Sequence, residues 1–111
     1  MGTLEAMYFR SGKRIFGEGE SGDSMFVVKE GVVELTVRGK IIAQVGKGGI
    51  LGEMALIDNK PRSASAQAKT DCELVPVNEK RFLTLVQENP GFAIEVMKVL
   101  TERLRIMDGK V

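Results

Sequence analysis

The sequence predicts a mainly β domain that ends in helices, and three observations carry this prediction. Eleven of the 13 glycines lie in residues 1–52, and because glycine marks turns, the first half should consist of strands joined by short turns. Apolar and polar residues alternate from Val33 to Val37, which is the period of a half-buried strand. After Asn78 the apolar spacing changes to that of helices. This order indicates a small antiparallel barrel or sandwich followed by a helical end.

The strands can be placed by their apolar runs and by the turns between them. Residues 25–29 form a short apolar run. Arg38-Gly39-Lys40 predicts a tight reversal between two paired strands, and Lys69-Thr70-Asp71 predicts another. In chain order, the predicted strands are residues 25–29, 33–37, 41–45, 63–68 and 72–77.

The C-terminal part is predicted to form two helices. Asn78 is a favourable N-cap, and Pro90 suits the first turn of the second helix. Asp108-Gly109 should end that helix. The apolar face of the first helix comprises Phe82, Leu83, Leu85 and Val86. One side of the second helix carries Phe92, Val96, Val99 or Leu100, Arg103 or Leu104, and Met107.

Composition excludes several classes of function. The chain has 111 residues, a formal net charge of +1, no histidine and a single cysteine. Without histidine there is no Ser-His or Cys-His nucleophile pair and no imidazole metal site, so we expect no enzyme. The balanced charge argues against nucleic-acid binding, and no apolar run approaches the ~20 residues of a membrane helix. A lone cysteine, Cys72, suits a reducing compartment, so we expect a cytoplasmic protein in which Cys72 is a small buried hydrophobe.

Residues 48–65 carry the strongest chemical signal in the chain. Gly52 permits a sharp approach of the backbone before a short helical turn over residues 53–57. The first N–H groups of such a turn have no partner within the helix and attract anions. Arg62 can return a planar guanidinium to the same anion, and Ser63 adds a hydroxyl. Together these groups predict a phosphate cradle.

This segment resembles a known phosphate-binding cassette. Gly52-Glu-Met-Ala-Leu-Ile57 followed by Pro61-Arg-Ser-Ala-Ser65 is similar to the cassette of the cyclic nucleotide-binding domain. That domain senses cAMP or cGMP in catabolite-activator-type regulators, protein kinase regulatory subunits and cyclic-nucleotide-gated channels. The resemblance extends over most of the chain, through residues 16–26, 29–33, 70–74 and 81–90. It implies one domain over residues 1–111: an antiparallel β-barrel of jelly-roll (double-stranded β-helix) type over about 7–77, interrupted by a short helical insert, and two helices over about 78–108.

The resemblance also implies roles for individual residues. Arg62 and Ser63, with backbone N–H groups at Met54 and Ala55, would bind the cyclic phosphate. Gly52 and Glu53 would bind the ribose, with Glu53 accepting a hydrogen bond from the 2′-hydroxyl. The walls of the pocket and the base site would be formed by Leu35, Ile42, Ala64, Ser65, Arg103, Ile106 and Met107.

The expected function is therefore a regulatory sensor whose C-terminal helices close over a cyclic nucleotide. The bacterial regulators of the family favour cAMP, and cGMP is the alternative. The effector would be a domain or partner protein outside this chain, since only four residues follow Met107 and no DNA-reading helix fits there. A ligand-independent interaction module with the same barrel is the competing hypothesis, and nucleotide hydrolysis is disfavoured because no general base or metal cluster is evident.

Overall fold

The computed structural model describes residues 5–108, which form eight strands and three helices. The strands are β1 (Met7–Phe9), β2 (Arg14–Phe16), β3 (Ser24–Glu30), β4 (Val33–Val37), β5 (Lys40–Val45), β6 (Ile50–Leu51), β7 (Ser65–Ala68) and β8 (Cys72–Asn78). The helices are α1 (Glu53–Asp58), α2 (Glu79–Glu88) and α3 (Pro90–Met107).

Two four-stranded antiparallel sheets form the β part. One sheet has the strand order β1-β8-β3-β6 and the other has the order β2-β7-β4-β5. Neighbouring strands are mostly distant in sequence, so each sheet is built from both ends of the β region, as in a jelly roll. The predicted fold class, mainly β with C-terminal helices, is confirmed.

The β4–β5 hairpin turns as tightly as predicted. Val37 pairs with Lys40, so only Arg38 and Gly39 lie in the turn. Their φ angles of 51° and 79° are both positive. Two such residues make the hairpin turn whose twist matches that of the strands, which fixes the register of the hairpin.

Two apolar cores lie on opposite faces of the β1-β8-β3-β6 sheet. Alternate residues of β3 divide between them: Phe26 and Val28 point into the barrel, whereas Met25 packs towards the helices. Cys72 is buried in the barrel core, as predicted. The second core, between the sheet and the helices, comprises Met25, Ile50, Leu56, Val77 and Val96.

The helices begin where predicted, but one apolar residue does not pack as predicted. Asn78 caps α2 by accepting a hydrogen bond from the Arg81 N–H at 2.8 Å. Leu83 was expected on the apolar face and is 60% exposed. The prediction for Leu83 is wrong because α2 turns the side that carries Phe82 and Leu85 towards the second core, and Leu83 lies outside that side.

The predicted strand over residues 63–68 begins two residues late, at Ser65. The delay arises because the Arg62 backbone bonds to an earlier loop: its N–H donates to the Glu20 carbonyl at 2.7 Å, and its carbonyl accepts from the Gly19 N–H at 2.8 Å. Three short strands, β1, β2 and β6, were not delimited from the sequence. They have two or three residues each, too few to show a periodic pattern.

Within residues 5–108, no helix has the length and apolar character needed to cross a membrane. The same residues contain no cluster of three or more potential metal-ligating side chains of the His, Cys, Asp or Glu type.

Candidate functional site

The site is built around the start of α1. Gly52 precedes this helix with φ 77° and ψ 10°, the left-handed conformation, which glycine adopts without steric cost. A Cβ atom at this position would lie 2.6 Å from Nη1 of Arg62, so glycine also makes room for the arginine. No side chain caps the helix start, which leaves the first backbone N–H groups of α1 available to a ligand.

Arg62 is held in place by aromatic stacking and by the backbone of Gly52. Its side chain is buried, its guanidinium carbon lies 4.2 Å from the centre of the Phe16 ring, and Nη1 donates to the Gly52 carbonyl at 3.1 Å. Nε is buried and makes no hydrogen bond to the described residues. Burial lowers the pKa of Arg62, whereas the nearby carboxylates of Asp23, Glu20 and Glu53 oppose that shift. An arginine stays protonated in proteins, so the site contains a cation with donor capacity left over.

The glycine-rich turn over residues 17–22 positions Arg62. Besides the two backbone hydrogen bonds from this turn to Arg62, a Cβ atom on Gly22 would overlap the Nε and Cζ atoms of the guanidinium. Glu20 holds the turn together because its carboxylate accepts the Gly17 N–H at 2.9 Å. That hydrogen bond is the main cause that lowers the pKa of Glu20. The sequence analysis assigns no site role to Phe16 or Gly22, although both contact the position of the Arg62 guanidinium, because no local pattern shows which side chain meets a turn from elsewhere in the chain.

Glu53 is a buried carboxylate with an unused acceptor. It is 3% exposed, and its Oε1 atom has no hydrogen-bond partner among the described residues. Burial raises the pKa of Glu53, and the opposing effects of a hydrogen bond from its own backbone N–H and of the charges on Arg103 and Arg62 do not cancel this rise. A buried unpaired acceptor is costly, and this Oε1 atom is available to a donor that enters the cavity.

Arg103 reaches the same site from α3. The pattern left either Arg103 or Leu104 on the inner side of the helix, and Arg103 is the buried one, at 6% exposed against 48% for Leu104. Its Nη2 donates to the Ile50 carbonyl at 2.9 Å, across 53 positions of sequence. Its Nε is buried without a partner among the described residues. Arg103 therefore lies deep against β6.

These side chains surround a cavity of about 30 Å³. All but three of the predicted site residues line this cavity: Leu35, Gly52, Glu53, Met54, Ala55, Arg62, Ser63, Ala64, Arg103 and Met107. The cavity shares Ser63 and Met107 with a larger groove of about 520 Å³. Ile42 and Ile106 line that groove. Ser65 lines neither space, and its hydroxyl accepts the Glu18 N–H at 2.9 Å.

Comparison with known proteins places this geometry in a family. The family model described as the cyclic nucleotide-binding domain matches residues 6–89. The cyclic AMP receptor protein of Thermus thermophilus is 36% identical over 105 residues, which are 90% of this chain and 49% of that protein. The cGMP-dependent protein kinase egl-4 of Caenorhabditis elegans is 36% identical over 81 residues, 73% of this chain and 10% of the kinase.

A solved structure agrees with these relatives. The structure described as cAMP-bound PfPKA-R superposes with a TM-score of 0.82 at 30% identity, over 96% of this chain and 36% of that one. The chain thus spans half or less of the length of each protein it is compared with here. The family match covers most of the residues that form the barrel and the site, and the chain belongs to the cyclic nucleotide-binding domain family.

Proposed function

We propose that this chain binds a cyclic purine nucleotide, cAMP or cGMP, as a regulatory sensor and does not itself turn the ligand over. The observation that carries the proposal is the convergence of Arg62 and Glu53, both buried and both with an unused polar atom, on one cavity beside the start of α1. Such groups are expensive to bury unless a ligand satisfies them. The family resemblance favours cAMP and keeps cGMP as the alternative.

The chemistry of the two side chains assigns each to a part of the nucleotide. The forked guanidinium of Arg62 suits two oxygens of the cyclic phosphate, which the Ser63 hydroxyl and the N–H groups of Met54 and Ala55 would complete. A carboxylate repels a phosphate, so Glu53 must face another group. The ribose 2′-hydroxyl is a neutral donor that matches its free acceptor.

The groove next to the cavity is the base site in this proposal. Val37, Ile42, Ile106 and Met107 provide apolar walls for a planar base. Ligand pockets usually measure roughly 300–1,000 Å³, whereas the cavity measures about 30 Å³ and the groove that shares Ser63 and Met107 with it about 520 Å³. In this proposal the end of α3, which carries Arg103 and Met107, moves outward to admit the sugar phosphate. We infer that α3 closes again over the bound ligand, turning near Asn89, where α2 ends and α3 begins.

A sensor also needs an output, and we place it outside this chain. The relatives are longer than this domain, so the effector is a further domain or a partner protein that reads the position of α3. The competing hypothesis is a ligand-independent interaction module. It does not explain why three charged side chains with unpartnered atoms are kept buried around one cavity.

Calorimetric titration of the purified chain with cAMP and with cGMP tests the proposal. Replacing Arg62 with alanine removes the phosphate cation, and hydrogen bonds to charged groups contribute ~1.5–3 kcal/mol, so affinity should fall by at least ~10-fold. Arg62→Lys should restore part of the loss, because a point charge lacks the fork. The matched control is Arg10→Ala, which removes an exposed arginine away from the cavity. Unchanged binding by Arg62→Ala, shown folded by circular dichroism, would refute the assignment.

A further inference from the structure

The mouth of the base groove carries a carboxylate held in a set position. The Glu18 carboxylate accepts the Arg38 N–H at 3.0 Å, and the Glu18 N–H donates to the Ser65 hydroxyl at 2.9 Å. Hydrogen bonds therefore join the Glu18 side chain to the β4–β5 turn and the Glu18 backbone to β7. Only one of its acceptor positions is used by the described residues, although a carboxylate offers about four.

Two exposed cationic side chains line the same groove as this carboxylate. Arg38 and Lys40 flank Gly39 at the tip of the β4–β5 hairpin, and both line the groove together with Glu18. Among residues 5–108, neither side chain makes an ion pair or a side-chain hydrogen bond. The groove thus combines apolar walls with acceptors and free donors at one edge.

This arrangement distinguishes the two purines by their hydrogen-bonding edges. Guanine presents two neighbouring donors, N1–H and the 2-amino group, next to the acceptors O6 and N7. A carboxylate accepts both donors, and a cationic side chain donates to O6 or N7. Adenine offers only the 6-amino donor and has a bare lone pair at N1, which would face the carboxylate. A polar site built for one pattern discriminates against a ligand that leaves its groups unpaired.

We propose that the groove selects guanine, with Glu18 accepting from N1–H and the 2-amino group and with Arg38 or Lys40 donating to O6, so that the ligand is cGMP. This inference rests on the proposed function. It favours cGMP, which the family resemblance gave as the alternative to cAMP. The preference for cAMP depended on the bacterial relatives and on no residue of this chain.

Competition titrations with cGMP, cAMP and cIMP test the inference. Because the guanine contacts include a charged acceptor, the parent should bind cGMP at least ~10-fold more tightly than cAMP. The affinity for cIMP, which lacks the 2-amino group, should fall between the two. Glu18→Gln keeps an oxygen for the Arg38 N–H but loses the paired acceptor. It should therefore weaken cGMP by about 10-fold while leaving cAMP within about 2-fold. Lys40→Met should also lower the preference for cGMP over cAMP. The control Glu88→Gln, which alters an exposed carboxylate outside the groove, should leave that preference unchanged.

The outcomes separate this inference from the function on which it rests. If the parent binds cAMP as tightly as cGMP, or if Glu18→Gln weakens both nucleotides equally, guanine selection is overturned and the sensor function stands. If no cyclic nucleotide binds, the proposed function and the inference fail together.

Discussion

At the scale of single residues, the site consists of charges that the fold buries at a cost to its own stability. Glu53, Arg62 and Arg103 are all buried, and each has a buried side-chain atom without a hydrogen-bond partner among the described residues. Groups arranged in this way are typical of functional sites, where pKa values are shifted from their ordinary range. A substitution that removes one of these charges should therefore raise the free energy of unfolding and lower the affinity for the ligand.

Glu53→Gln should stabilise the fold while impairing ribose recognition. Because burial raises the pKa of Glu53 above 4.5, the unfolded chain ionises first as pH rises, and the parent loses stability until the folded pKa is passed. Glutamine carries no such penalty. The variant should exceed the parent by about 0.5–2 kcal/mol in free energy of unfolding at pH 7, and by less at pH 4.5. Urea denaturation at the two pH values measures the difference.

The same variant should lose its discrimination for the 2′-hydroxyl. The parent should prefer a cyclic nucleotide to its 2′-deoxy analogue by roughly 10-fold, because the buried carboxylate pairs with that hydroxyl. The variant should bind both with similar affinity. A Glu53→Gln chain that is less stable than the parent at pH 7, or a parent with equal affinity for both ligands, would contradict the role assigned to Glu53.

At the scale of elements, the glycine-rich turn and the β4–β5 hairpin place charged side chains that line the cavity and the groove. The turn clamps the Arg62 backbone and leaves the space that its guanidinium occupies. The hairpin presents two cations at the groove because its two-residue turn fixes which positions lie at the tip. Residues 17–22 contribute no side chain to either core, so this turn acts on geometry, whereas the strands of the hairpin also anchor it in the barrel core through Val33, Leu35 and Val45.

Gly22→Ala should weaken nucleotide binding through Arg62. The added methyl group would overlap the guanidinium, which must leave its stacked position on Phe16. Loss of a charged hydrogen bond predicts an affinity at least ~10-fold lower by calorimetry.

Gly46→Ala is the matched control, since a Cβ atom there meets nothing within 4 Å. It should bind like the parent. If both alanine variants bind equally well, the turn does not position Arg62.

At the scale of the whole molecule, α3 joins the second apolar core to the site. Val96 is buried in that core, whereas Arg103 and Met107, two and three turns further on, line the cavity. A shift at the end of α3 can thus be transmitted to the packing of the helices on the sheet. The barrel core contains no residue of α3, so it can stay intact while the helix moves.

Ligand should therefore protect two regions that are remote in sequence. Hydrogen exchange with saturating cyclic nucleotide should slow at residues 50–65 and also at about 92–107, because ordering of α3 over the ligand reduces local opening. A chain that ends after Leu100 loses Ile106 and Met107, which are groove walls, and should bind at least ~10-fold more weakly, since burying even one such side chain fully contributes ~1.5–3 kcal/mol. Protection confined to residues 50–65, together with normal binding by the shortened chain, would show that α3 does not close over the ligand.

The sequence by itself determined the fold class, the position of the helices and the core of the site. Local signals suffice for these features: alternation marks β4, Asn78 and Pro90 mark helix starts, and the Gly52 to Ser65 segment places its cradle within a few residues of chain. Most predicted pocket residues accordingly line one cavity.

Tertiary structure alone decided the contacts between residues that are far apart in the chain. Phe16 stacks on Arg62, Gly22 makes room for it, and Arg103 rather than Leu104 turns inward to bond Ile50. No periodic pattern encodes such pairings, because each depends on how two sheets and a helix pack against one another. The same holds for Glu18, an ordinary turn residue in the sequence, which only the folding of β4, β5 and β7 brings to the edge of the groove.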